Sequence, residues 1–176
     1  MIIFDTETTG LVQPSVVPLD QQPRIIEFAA IKTKGNDIVC EIEFKLNPGI
    51  KLSPEITKIT GLMDKDLENM PCFADKYVEV AKFFLGEDIL VAHNCSFDVA
   101  LLSFALQRIG KGCQFPWPYR HICTVEATHH IKNRRMKLTE VYEHYFGVSL
   151  AQKHRAMDDV KDLWEVVKKL KLEGLI

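Results

Sequence analysis

The chain has 176 residues, 47% of them apolar and 26% charged, the proportions of an average soluble globular domain, which excludes disorder, collagen-like repeats and a bilayer-spanning build. Its 22 Lys and Arg against 24 Asp and Glu leave a formal charge of −2, so no global field draws it to nucleic acid or anionic lipid, and a polyanionic partner has to be held locally. The five cysteines (Cys40, Cys72, Cys95, Cys113, Cys123) are odd in number and never form C-x-x-C, the usage of reduced thiols in a cytosol-like compartment.

The opening MIIFDTE predicts a strand over residues 1–7, with no basic region of a secretory signal, and a Pro-containing loop follows through LVQPSVVPLDQQP. RIIEFAAIKT reads as a second strand, K-G-N-D as a turn and IVCEIEFKL as its hairpin partner. Ser53-Pro54 reads as the cap and first residue of a helix, Asp64 as the cap of another short turn, and 74–85 as a helical stretch. DILVAH reads as a short buried strand, and Ser96 as the cap of a long helix over FDVALLSFALQRIG. After the turn FPWPYR, helical stretches around 123–131 and 137–146 precede a last helix from about 156 to 171. Three leading strands and then alternating helix and strand predict an α/β domain with a mixed sheet flanked by helices, one unit over 1–176. No apolar run approaches about 18 residues, so no membrane span is expected, and the protein is placed in the cytoplasm, or the nucleus of a eukaryote, and not outside the cell.

Acidic residues stand where apolar ones are expected. Asp5 and Glu7 are two apart on or just beyond the first strand, which points both to one face. On the last helix Val160, Leu163, Trp164, Val167 and Leu170 form the inward stripe. Asp159 lies four residues before Leu163 on that side, whereas Asp158 aligns with Asp162, Glu165 and Lys169 on the outer face. A carboxylate facing a core needs a partner, and no Lys or Arg in its stripe offers one, so Asp159 calls for a cation. Asp98 aligns with Leu102, Ala105 and Ile109 in an almost wholly apolar segment, although a first-turn acid also suits the helix dipole. His154, five residues before Asp159, is expected on the loop entering the helix and facing the same cleft, where an imidazole suits proton transfer near neutral pH. His121, Cys123, His129 and His130 match none of the usual zinc spacings.

Taken together, IIFDTETTGL, VAHNCSFDVALL and HRAMDDV resemble, in order, position and final H-x4-D spacing, the three motifs of the DEDDh group of 3′→5′ exonucleases, the DnaQ-like proofreading-subunit type. The related group with a tyrosine four residues before the last Asp does not fit, because Arg155 stands there. The resemblance implies a ribonuclease-H-like fold and two divalent ions, Mg²⁺ or Mn²⁺, held by Asp5, Glu7 and Asp159, with Asp98 completing the acidic set and His154 as general base. It implies hydrolysis from a 3′ end, releasing 5′-nucleoside monophosphates. It places the terminal nucleotides beside Thr8, Thr9, Gly10 and Leu11 and beside Thr60, Gly61 and Leu62, with Leu11 wedging between bases and Asn94 and Phe97 near the same end. Thr60 departs from the family, which often has His there.

The densest basic run, Lys132, Arg134, Arg135 and Lys137 in HHIKNRRMK, reads either as a grip on the strand or as a solvated loop. Few Tyr and Trp argue against a long stacking groove. The partner expected is a DNA or RNA 3′ end, single-stranded, with a DNA polymerase or another replication or repair factor as the candidate protein partner. The short sequence after Asp159 carries the expectation of no long polymerase-tethering tail, which leaves free-standing repair or RNA trimming beside proofreading. The rival class is a catalytically silent module that binds nucleic-acid ends or accompanies a polymerase. A Ca²⁺-binding structural domain lacks the D-x-D-x-D-G loop.

Overall fold

Strand β1 (Ile2–Thr8) buries Phe4, Thr6 and Thr8 while leaving Asp5 and Glu7 half-buried, because successive side chains of a strand point to opposite faces. In the computed structural model, which describes residues 1–150 and 154–176, β1 is the central strand of a five-stranded sheet ordered β3-β2-β1-β4-β5. Strands β2 (Ile25–Lys34) and β3 (Asp37–Lys45) form the expected antiparallel hairpin and pair β2 against β1. Strands β4 (Ile89–Ala92) and β5 (Arg120–Cys123) extend the other side in parallel. This is the mixed α/β sheet that the element order predicts. β5 is not among the predicted strands, because it has only four residues, overlaps the end of the Pro-rich turn at Arg120, and exposes its first two side chains.

The two faces of the sheet carry different helices. On one, α3 (Phe73–Phe84) and α4 (Cys95–Arg108) close an aromatic core in which Phe4 lies 6.2 Å from Phe28 and meets Phe84 edge-on at 6.0 Å. On the other, α8 (Ala156–Leu172) lays Val160, Leu163, Trp164 and Val167 over Ile3, Ala29 and Ile31. Helix α7 (Leu138–Phe146) packs on α8 through Val141, Val166 and Leu170. No helix among the described residues is long and apolar enough to cross a membrane.

Capping follows the sequence in one place and departs from it in two. Ser53 accepts the Ile56 amide at 3.2 Å and starts α1 (Pro54–Thr60). Asp64 is instead the first residue of α2 (Asp64–Leu67), where its carboxylate accepts the Leu52 amide at 2.9 Å and Asp66 receives the Met63 amide. Ser96 lies inside α4, whose preceding residue is Asn94 at φ 70°; the abrupt strand-to-helix turn needs a left-handed residue, a conformation Asn tolerates and serine rarely adopts. The stretch around 123–131 is broken into single turns, α5 (Thr124–Ala127) and α6 (His129–Lys132), so the basic run is partly helical.

The long loop between β1 and β2 is pinned by polar side chains. The buried Gln22 accepts the Gln13 amide at 3.0 Å and donates to the carbonyls of Gln13, Pro14 and Val17. Arg108, at the end of α4, donates to the carbonyls of Leu19, Gln22 and Pro23. Leu11 is thereby held out on a fixed edge, 75% exposed.

Candidate active site

β1 and the first turn of α8 bring three carboxylates together. One oxygen from each of Asp5, Glu7 and Asp159 lies within 4.8 Å of the others, and among the described residues this is the one group of His, Cys, Asp or Glu close enough to share an ion. The arrangement follows from local periodicity: Asp5 and Glu7 share the face with Ile3, and Asp159 shares the side of α8 that buries Val160 and Leu163 against it. None of the three is ion-paired to a Lys or Arg among the described residues.

Asp98 arrives from the opposite face of the sheet. It is 2% exposed, and its carboxylate accepts the Thr6 amide at 3.1 Å and the Thr6 hydroxyl at 2.7 Å. It lies outside the three-residue group but acts on it electrostatically. Burial, then the charges of Asp98, Asp159 and Glu7, push the Asp5 carboxyl well above its ordinary range. Burial, with the charges of Asp159, Glu27 and Asp98, raises Glu7 to about 8, against a lowering pull from Arg155. Burial raises Asp98 to about 7 despite its Thr6 bonds, and burial with Asp162, Asp158 and Glu27 raises Asp159 to about 6. Acids pushed upward by desolvation and by one another keep their protons to higher pH than free carboxyls do, and a bound cation would displace those protons.

His154 precedes α8 on its entering loop, half-buried, with a left-handed φ of 46°. Position 158 is half-buried, as are Asp162, Glu165 and Lys169, so the outer face of α8 is less open than its sequence pattern suggests.

Of the residues assigned to substrate, the structure places Thr8 at the end of β1 and Thr9, Gly10 and Leu11 directly after it. Thr8 is buried with its hydroxyl donating to the Gly10 carbonyl, and Thr9 accepts the Arg24 amide through its hydroxyl. Leu11 presents an exposed apolar edge. The structure does not bring Thr60 and Leu62 to the surface: Thr60 is 5% exposed, donates to the Ile56 carbonyl and accepts the Leu62 amide, while Leu62 packs with Ile26 and Leu67. Only Gly61 of that trio is exposed. Phe97 packs half-buried against the aromatic core. Arg134 is committed to Glu140, whereas Arg135 donates to the Asn94 side chain at 2.6 Å and so ties the basic run to the start of α4. The half-buried His93 holds the same junction, with its ring nitrogens 2.9 Å from the Thr124 hydroxyl and 3.0 Å from the Met136 carbonyl. Burial lowers its pKa to about 4, so the ring is neutral at physiological pH.

Sequence reasoning missed Glu27. It lies on β2 directly opposite Glu7, fully buried, and receives Arg155. A signal was present: Glu27 is a lone acid in the apolar run IIEFAAI, alternating with Ala29 and Ile31.

A family model described as Exonuclease (RNase T) matches residues 2–167. The chain is 35% identical over 164 residues to DNA polymerase III PolC-type of Bacillus subtilis, covering 91% of this chain and 10% of that protein. With the Clostridium perfringens PolC-type polymerase it shares 30% over 169 residues, 95% of this chain and 11% of that protein. The chain therefore spans about a tenth of the length of these curated relatives. The fold is shared with the nuclease domain of 3′hExo, a DEDDh family member, solved bound to rAMP (TM-score 0.75, 18% identity, 99% of this chain and 92% of that one). It is also shared with Exonuclease X solved with a 5′-overhanging duplex DNA (TM-score 0.69, 20% identity, 98% and 92%). These likenesses establish the ribonuclease-H-like architecture.

Proposed function

The chain belongs to the DnaQ-like, RNase T exonuclease family, and on that premise we propose that residues 1–176 act as one DEDDh-type domain that removes nucleotides from a nucleic-acid 3′ end. The observation that carries this reading is the convergence of Asp5, Glu7 and Asp159, with His154 on the segment leading into α8. The donor set fits a hard divalent cation: the ligand atoms are carboxylate oxygens, unpaired by Lys or Arg among the described residues, and crowded enough to raise one another's pKa. Mg²⁺ or Mn²⁺ held by Asp5, Glu7 and Asp159, as a pair of ions beside Asp98, would supply Lewis acidity toward the phosphate and charge balance for the departing 3′ oxygen.

The residues of the chain do the rest. The turn from Thr8 to Leu11 and the exposed backbone at Gly61 hold the terminal nucleotides, and Leu11 sets an apolar edge against the bases. His154 accepts a proton from the water that attacks phosphorus in line. The bond between phosphorus and the 3′ oxygen of the preceding nucleotide breaks, releasing a 5′-nucleoside monophosphate and a strand one nucleotide shorter with a free 3′ hydroxyl. The PolC-type relatives favour a polymerase-linked proofreading role on DNA. The solved neighbours named for an overhanging DNA duplex and for a histone mRNA stem-loop make RNA trimming the second substrate to test.

The test is a time course on 5′-labelled single-stranded DNA and RNA of one sequence with Mg²⁺, Mn²⁺ or EDTA. A ladder shortening from the 3′ end and lost in EDTA is the expected result. No cleavage of either strand by folded, metal-supplied protein would favour an end-binding or polymerase-accessory module. In the same assay His154→Ala is expected to slow single-turnover cleavage roughly 100-fold or more while leaving Mn²⁺ binding unchanged. An unaltered single-turnover rate would remove His154 as the base.

A further inference from the structure

Glu27 is 0% exposed and faces Glu7 directly across the antiparallel β1–β2 pair. Like charges at such positions repel, and a buried carboxylate without donors is costly. Its donors in the structure come from the entrance of α8. Arg155 Nε donates to both Glu27 oxygens at 3.1 Å, its Nη2 donates to Oε1 at 2.5 Å, and the Ala156 amide donates to Oε2 at 3.3 Å. Arg155 occupies the cap position of α8 but offers the helix no side-chain acceptor. Glu27, 129 residues before Ala156, supplies that acceptor and places negative charge at the helix N-terminus.

We propose that Glu27 and Arg155 are positioning residues, a latch that fixes the entrance of α8, holding Asp159 against Asp5 and Glu7 and setting the backbone at His154. His154 is the residue immediately before Arg155, and the Asp159 amide donates to the Arg155 carbonyl at 3.0 Å, so a displacement of Arg155 is passed to both. The body of α8 does not depend on the latch, since Val160, Leu163, Trp164 and Val167 bury it against the sheet. What the bidentate pair adds is the orientation of the first turn, because a planar guanidinium fork fixes angle as well as distance. The pair also accounts for the fourth acid on this face: Glu27 is committed to Arg155 and stays out of the group formed by Asp5, Glu7 and Asp159.

This inference rests on the exonuclease reading, and its test separates the two. The double variant Glu27→Gln/Arg155→Met removes the ion pair without leaving an orphan charge, and Arg155→Lys keeps the charge but loses the fork. Thermal melting, Mn²⁺ binding by calorimetry, and kcat and KM on a 5′-labelled oligonucleotide are measured on both. The double variant is expected to melt cooperatively, bind Mn²⁺ about 10-fold more weakly and lose on the order of 10- to 100-fold in kcat, with KM nearly unchanged; Arg155→Lys is expected to fall between it and the wild type. Wild-type Mn²⁺ affinity and kcat in the double variant, whatever its melting temperature, would overturn the latch. If the double variant does not fold, wild-type values in Arg155→Lys overturn it equally. A wild type that binds Mn²⁺ but cuts nothing would sink the exonuclease reading, and the Mn²⁺ arm would then decide the latch alone.

Discussion

Asp159→Ala is expected to reduce single-turnover cleavage roughly 1,000-fold, the equivalent of losing several kcal/mol of charge stabilisation at the reacting phosphate, whereas Asp158→Ala keeps the rate within about threefold. The two residues are neighbours in sequence but about 100° apart around the helix. Asp159 carries an oxygen within 4.8 Å of Asp5 and Glu7, and position 158 does not belong to that group. Removing Asp158 takes away one of the charges that raise Asp159, which shifts the pH at which Asp159 ionises more than it changes the chemistry at saturating metal. Rates and Mn²⁺ affinities of both variants, measured side by side, check the assignment. Equal losses from the two substitutions would sink the helix-face argument.

In EDTA the protein is expected to lose stability steadily as pH rises from about 5 to about 8, and saturating Mn²⁺ is expected to abolish the decline. The sign follows from the direction in which each acid moves on folding. Glu7 moves up from 4.5 to about 8, Asp98 from 3.8 to about 7 and Asp159 from 3.8 to about 6, so across this window the folded state holds protons that the unfolded chain has released. The contribution is complete below the unfolded values and disappears as pH passes through each folded value. A tenfold change in proton affinity between the unfolded and folded chain corresponds to about 1.4 kcal/mol, so each of these acids adds to the slope in the same direction. Carboxylates lowered in the folded state act in a separate window. Glu87, beside the N-terminus and Lys32, and Glu140, beside Arg134, lose their contribution only as pH falls below the ordinary carboxylate range. A divalent ion displaces the protons, so its stabilising effect should grow with pH. Melting temperatures in EDTA and in Mn²⁺ from pH 5 to pH 8.5 would show it; a flat EDTA curve would mean that the acids are not poised as the geometry indicates.

Where short-range periodicity decides the outcome, the sequence was enough. The alternation in IIFDTE placed Asp5 and Glu7 on one face, and the stripe from Val160 to Leu170 singled out Asp159 from its neighbour. Three things escaped for physical reasons. β5 is too short to show a period, and pairing to β4, not its own composition, makes it a strand. The turn into α4 selects Asn94 for a backbone angle that no pattern of polarity encodes. The Glu27–Arg155 pair joins residues more than 120 positions apart, and the rule that exposed Asp159, an acid in an apolar stripe, applies equally to Glu27 once β2 is known to be covered on that face. The basic run shows the converse: its charge density was legible, but the commitment of Arg134 to Glu140 was not.

The pinned loop between β1 and β2 has a consequence for engineering. Gln22 satisfies carbonyls within its own loop, and Arg108 anchors the returning arm from a helix already fixed in the core. The acceptors at Pro14, Val17 and Leu19 are backbone carbonyls, which a change of side chain leaves in place, so substitutions at the exposed Ser15 and Val16 are expected to leave the loop's path intact. The loop's outer surface is thus open to redesign apart from the strand that carries Asp5 and Glu7.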